Sequence, residues 1–155
     1  MREILFRGFC ENFKLNETVV VNGRTFHGEW VYGYFIGGDG ESYDWIQPFV
    51  VDKDGTKLPL PTCEVISETV GQFTGLLDKN GKKIFEGDIV RLWRDIDGIE
   101  DLRTEYRCAL PVSYCELWSQ FVVEDKENKE QFGIWQTFDA FEVIGTIFDV
   151  KEEAK

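Results

Sequence analysis

The segment VGQFTGLLDKNGKKIFEGDIV, Val70 to Val90, constrains the fold of this chain more than any other stretch. Gln72 to Leu77 reads as a half-buried strand, Asp78-Lys79-Asn80-Gly81 as a turn, and Lys82 to Phe85 as the returning strand. Gly81 stands where such a turn most needs a positive φ. Glu86-Gly87-Asp88 then makes a corner, and Ile89 to Trp93 leaves it as a longer strand. Phe73, Leu76, Ile84, Phe85, Ile89 and Val90 are its expected core residues.

The same grammar runs through the rest of the chain. Thr18 to Val21, Asn22-Gly23 and Arg24 to Phe26 form a hairpin, because Asn-Gly tolerates the positive φ of a type I′ turn at both central positions. Glu29 to Ile36 is a strand with Trp30, Tyr32 and Tyr34 on one face and Val31, Gly33 and Phe35 on the other. Gly33 inside it marks a bulge or a close packing neighbour. Gly37 to Ser42 is a loop, and Tyr43 to Val51 a strand in which Pro48 predicts an edge or a bulge. Asp52 to Gly55 is a turn, and Leu58-Pro59-Leu60-Pro61 is a stiff connector. Cys63 to Glu68 alternates ahead of the central segment.

Beyond that segment, Arg94 to Glu105 reads as an exposed acidic excursion with one helical turn near Ile99 to Leu102. Tyr106 to Tyr114, Glu116 to Glu124, Gln131 to Phe138 and Phe141 to Val150 are further strands, with Pro111 near an edge and a charged turn at Asp125 to Glu130. About ten short strands with turn signals every eight to twelve residues predict an all-β barrel or sandwich. Thirteen Phe, five Trp and five Tyr against one Met suit pleated surfaces better than helices. The expected organisation is an N-terminal β lobe over residues 1–61 packed on a barrel over 62–155, or one continuous unit.

Chemistry is harder to find. Asp78, Asn80 and Asp88 suggest a calcium loop, yet counted from Asp78 the glycine comes fourth and Ile89 twelfth, which is not the EF-hand spacing. Glu86 and Asp88 flank a glycine corner, where carboxylates face water or cap amides rather than act as an acid-base pair. The loop GGDGES leads into a strand rather than a helix N-terminus, so it makes no phosphate cradle. The aromatic row Trp30, Tyr32, Tyr34 lacks interleaved basic residues, so core packing is expected rather than base stacking. With one histidine, His27, and Cys10, Cys63, Cys108 and Cys115 far apart, there is no zinc spacing. No catalytic residue, cofactor or metal ligand is expected. The candidate interaction surface is Lys79, Lys82, Lys83, Glu86, Asp88, Arg91 and Arg94.

A formal net charge of −12 argues against a nucleic-acid-binding face and fits a well-solvated protein or an acidic face for a basic partner. The first residues carry no signal-peptide pattern, and no apolar run approaches membrane-spanning length. Unpaired cysteines fit a reducing cytosol.

Four segments together resemble the YopX family of phage and prophage proteins. They are Arg2 to Phe9, Trp30 to Phe35, Thr69 to Val90 and Glu142 to Asp149. The resemblance implies a small β protein whose C-terminal half forms an SH3-type barrel, and a source in a bacteriophage or prophage. It carries no catalytic residues over. Together these readings predict a non-enzymatic binding or assembly protein of the bacterial host cytosol. It would have a phage or host protein as partner, and self-association through edge strands. The alternative is a nucleic-acid binder, or an acidic imitator of nucleic acid.

Overall fold

The computed structural model describes residues 4–12, 16–39, 41–96, 99–125, 127, 129–134 and 141–149, with side chains for all of these except 94–108 and 132. The chain divides into two compact units, residues 1–72 joined by the segment from Phe148 onward, and Phe73–Ile147.

In the first unit β1 (Phe6–Glu11) pairs antiparallel with β3 (Arg24–Gly38), which also pairs with β2 (Glu17–Val21) and β4 (Tyr43–Val51). The β2–β3 turn is the expected Asn-Gly hairpin, with φ of 51° at Asn22 and 79° at Gly23. β4 pairs at its start with β6 (Cys63–Ile66) and at its end with β5 (Lys57–Pro59), so the proline connector joins two strands of this unit. Pro48 is therefore on neither an edge nor a bulge. It pairs with Gly33 on one side and stands on the other between the β6 ladder, which ends at Ile46, and the β5 ladder, which begins at Phe49. No partner on that second side asks Pro48 for an N–H.

Gly33 shows the close approach its sequence position implied: a Cβ there would lie 2.1 Å from the Gln47 carbonyl oxygen. The core of this unit is Phe9, Val19, Val21 and Ile66, with Phe26, Trp30 and Phe148 packed against it. Phe148 enters as the chain returns, its carbonyl accepting a 2.7 Å bond from Val20 N–H. Thr69, at the end of a short 3-10 turn (Ser67–Thr69), is buried; its hydroxyl accepts from Phe9 N–H and donates to the Ile66 carbonyl.

β7 (Gly71–Leu77) crosses the division: Gly71 and Gln72 pair with β1, while Phe73 and Leu77 pair with β8 (Lys83–Phe85). The second unit continues as β9 (Asp88–Ile96), β10 (Ile99–Cys115), β11 (Gln120–Asp125), β12 (Glu130–Gly133) and β13 (Phe141–Thr146), in the order β12-β11-β10-β9-β13. This is an open antiparallel ladder among the described residues. Its core gathers Ile84, Val90, Leu92, Leu110, Val112, Phe121, Val123, Ile134 and Phe141.

Three expectations for this half change. Ile99 to Leu102 is no helical turn, because β9 runs to Ile96 and β10 starts at Ile99, with Thr104 opposite Arg94 and Arg103 opposite Asp95. Backbone pairing satisfies the amides that a polar, core-poor sequence leaves unassigned. Glu116 to Ser119 is a turn with φ of 51° at Ser119, so the strand predicted from Glu116 begins at Gln120. The final strand stops at Thr146, where the Ile147 amide turns to the Gly87 carbonyl. The expected strand from Gln131 is seen as β12, but residues 135–138 lie outside the described ones.

Candidate functional site

The turn between β7 and β8 is a lock rather than a loop. Asp78, only 6% exposed, accepts from Asn80 N–H at 2.8 Å and Lys82 N–H at 2.9 Å through Oδ1, and from Val143 N–H at 2.9 Å through Oδ2. The first two bonds are an Asx-type closure of the turn, which Gly81, at φ 82°, completes. The third ties the turn to β13, and Lys79 N–H adds a 2.8 Å bond to the Phe141 carbonyl. A carboxylate with three donors already aimed at it has little capacity left for a cation.

From this turn Lys79 reaches a cluster on β9 and β13. Trp93 Nε1 donates to Glu142 Oε2 at 2.8 Å, and Lys79 Nζ lies 3.8 Å from the same oxygen. Lys79 Nζ also sits 4.5 Å from the centre of the Trp93 ring, and the Arg91 guanidinium 5.7 Å from it. Register explains the gathering. Arg91 faces Glu142 across the β9–β13 ladder, and Trp93 stands two residues further along the same face of β9. The cluster couples an indole to two cations and one carboxylate.

The remaining members of the expected interaction surface scatter. Asp88 is 1% exposed and accepts from Phe85 N–H at 2.7 Å, so it caps the Gly87 corner (φ 92°) from within and cannot contribute to a surface. Lys83 lies half-buried over the Phe73 ring, 5.4 Å from its centre. Glu86 is half-buried and Lys82 exposed. Arg94 occupies β9, but its side chain lies outside the described residues. The seven residues therefore do not form one face. Two of them, Lys79 and Arg91, meet on Trp93, while the partner that joins them, Glu142, is distant in sequence.

The first unit holds the surface that sequence reasoning missed. Trp30 is packed against the core as expected, but Tyr32 is 46% and Tyr34 40% exposed, and Trp45 and Val51 are exposed as well. Tyr34 stacks on Phe49 with ring centres 5.1 Å apart, and Lys57 Nζ covers both rings at 5.5 and 4.8 Å. The cross-strand register sets this. Tyr34 faces Gln47, two residues from Phe49, and Lys57 faces Val51, two residues beyond. The basic residue that the aromatic row lacked in sequence arrives from β5. At the loop before β4, Asp39 Oδ1 collects the amides of Ser42, Glu41 and Tyr43, which hold its carboxyl below the usual carboxylate range.

Among the described residues no group of three or more His, Cys, Asp or Glu side chains is arranged to hold a metal ion, and no helix is long and apolar enough to cross a membrane. The family model described as YopX protein matches residues 42–152, well over half of the chain. The chain belongs to the YopX family. No curated protein matches it. The YopX match runs from the loop before β4 through β13, so it takes in the Asp78 lock, the Trp93 cluster and the Lys57 contact with Phe49. Of the four segments that resemble the family, Thr69–Val90 and Glu142–Asp149 fall inside the YopX match, while Arg2–Phe9 and Trp30–Phe35 lie before it.

Proposed function

We propose that this YopX-family chain is a non-enzymatic binding or assembly module of a phage or prophage, acting on a protein partner in the host cytosol. The observation that carries the reading is the exposed aromatic face of the first unit, where Tyr32, Tyr34 and Trp45 stand open beside the Phe49–Lys57 contact. Exposed aromatic side chains of this kind, with a cation beside them, suit protein contacts. In the second unit, the bonds from the Asp78 turn to β13 favour an SH3-type barrel, because they bring the β7–β8 hairpin to the outer side of the ladder's last strand.

The lysines counsel against direct nucleic-acid binding. Lys57, Lys79 and Lys83 each lie over aromatic rings of their own unit, and the whole chain carries −12. The same charge favours, as a second reading, an acidic imitator that occupies a host nucleic-acid-binding protein. Crosslinking and affinity capture from host lysate, run with wild type and with Tyr32→Ser/Tyr34→Ser, test the main reading. A partner, or a second copy of the chain, retained by wild type and lost by the variant is the expected result. Equal retention by a variant with an unchanged circular dichroism spectrum would overturn it. Competition with DNA for the captured protein would favour the second reading.

A further inference from the structure

Cys10 and Cys63 are 53 positions apart in sequence, yet the first unit brings their strands together. β1 is antiparallel to β3, β3 to β4 and β4 to β6, so β6 runs antiparallel to β1. The two strands touch at Gly8, where a Cβ would lie 2.7 Å from Val65 Cγ2 and 3.1 Å from Ile46 Cδ1. Two residues forward from Gly8 on β1 is Cys10, and two residues back from Val65 on β6 is Cys63. From a contact between strands of opposite direction these positions advance together, and alternate residues keep to one side of each strand. Both thiols are free and half-buried, neither holding the other: each Sγ points to a nearby carbonyl, Cys10 to Glu11 and Cys63 to Pro61. Cys10 also lines an open cleft of about 410 Å³ with Glu11, Asn12, Tyr43 and Glu64, which admits a small solute.

We propose that Cys10 and Cys63 are an oxidisable pair that closes into an intrachain disulfide between β1 and β6 on exposure to a hydroperoxide. The thiolate of one member of the pair attacks one peroxide oxygen, the O–O bond breaks, and a sulfenic acid forms with release of water (or the alcohol, from an organic peroxide). The other sulfur then attacks this sulfenic sulfur, its proton leaves with the hydroxyl as a second water, and the S–S bond forms. Two thiols and one peroxide become one disulfide and two waters.

The electrostatics set the pace of the reaction. Burial pushes the Cys10 thiol up, and the neighbouring Cys63 adds to this, followed by Glu29, Glu64 and Glu11. Cys63 is likewise pushed up, by burial first and then by Glu29. Glu29, opposite Cys10 in the β1–β3 register, acts on both sulfurs, which places them around one carboxylate. Both thiols therefore rest protonated near neutrality. The first step is slow and the pair answers sustained rather than brief oxidation.

The test uses the full chain carrying Cys108→Ser and Cys115→Ser, treated with hydrogen peroxide under denaturant-free conditions. The expected product is about 2 Da lighter, monomeric, with a Cys10–Cys63 peptide on non-reducing mapping, and a melting temperature raised by about 10 °C that thiol reductant reverses. Cys10→Ser added to this background is expected to stop at a sulfenic acid on Cys63, trapped by dimedone. Two titratable thiols persisting after exhaustive oxidation would overturn the proposal. So would a cross-link formed only between chains.

Discussion

Replacing Asp78 by Asn separates the two halves of the β7–β8 lock. The side-chain oxygen of the new amide would still accept from Asn80 and Lys82 N–H, but its nitrogen would meet Val143 N–H, donor against donor, at a contact now 2.9 Å long. Flipping the amide would restore Val143 and sacrifice the two turn bonds instead. A hydrogen bond to a charged acceptor contributes about 1.5–3 kcal/mol, so Asp78→Asn should cost about 2 kcal/mol. Asp78→Ala removes both acceptor oxygens and all three bonds, but water replaces those near the turn's exposed tip, so the loss should reach about 3–4 kcal/mol rather than the full sum. For a unit of this size about 2 kcal/mol corresponds to about 10 °C in melting temperature. Urea unfolding followed by tryptophan fluorescence reads it, as a lower midpoint with an unchanged slope. A change below about 0.5 kcal/mol for Asp78→Asn would show that the bond to β13 contributes nothing and refute the lock.

Other consequences are as direct. Asp88→Ala should destabilise the second unit by about 2–3 kcal/mol in the same assay, since it orphans the buried Phe85 amide. Gly33→Ala should abolish or severely weaken folding of the first unit, as its Cβ would sit 2.1 Å from the Gln47 carbonyl, whereas Gly23→Ala, in open space at φ 79°, should cost only about 1 kcal/mol. Circular dichroism melts of the two variants compare them. Because backbone amides depress the Asp39 carboxyl in the folded loop, its stabilisation is complete above the ordinary carboxylate range. That stabilisation is lost only as pH falls through the lowered value. NMR titration should show the Ser42, Glu41 and Tyr43 amides moving together below pH 3.8, and a midpoint at or above that would contradict the capping.

Local turn chemistry in this chain is written where it acts. Asn22-Gly23, Asp52 to Gly55, Asp78 to Gly81 and Gly87 all form the turns or corners their residues imply, because a left-handed φ or an Asx closure depends on neighbours within four positions. Strand existence is nearly as local, being set by alternation, and the resemblance to the YopX family stands on the same segments. The site is less legible. Nothing near Asp88 says whether its carboxylate faces water or Phe85. The charged residues of Arg94 to Glu105 look like a loop until a partner strand takes up their amides.

What the amino-acid sequence determined by itself is the all-β character, the turns, the family and the burial of Phe73, Ile84, Phe85 and Val90, since these follow from period and backbone preference. Only the tertiary structure decided which aromatics are surface and which carboxylates are locks. Tyr34 finds Phe49 and Lys57 through the registers of β3, β4 and β5, and Asp78 finds Val143 across 65 positions. Cys10 and Cys63 approach through three successive antiparallel pairings. Register is a long-range property: slipping one strand by one residue sends every side chain to the opposite face, and no short window of sequence carries that information.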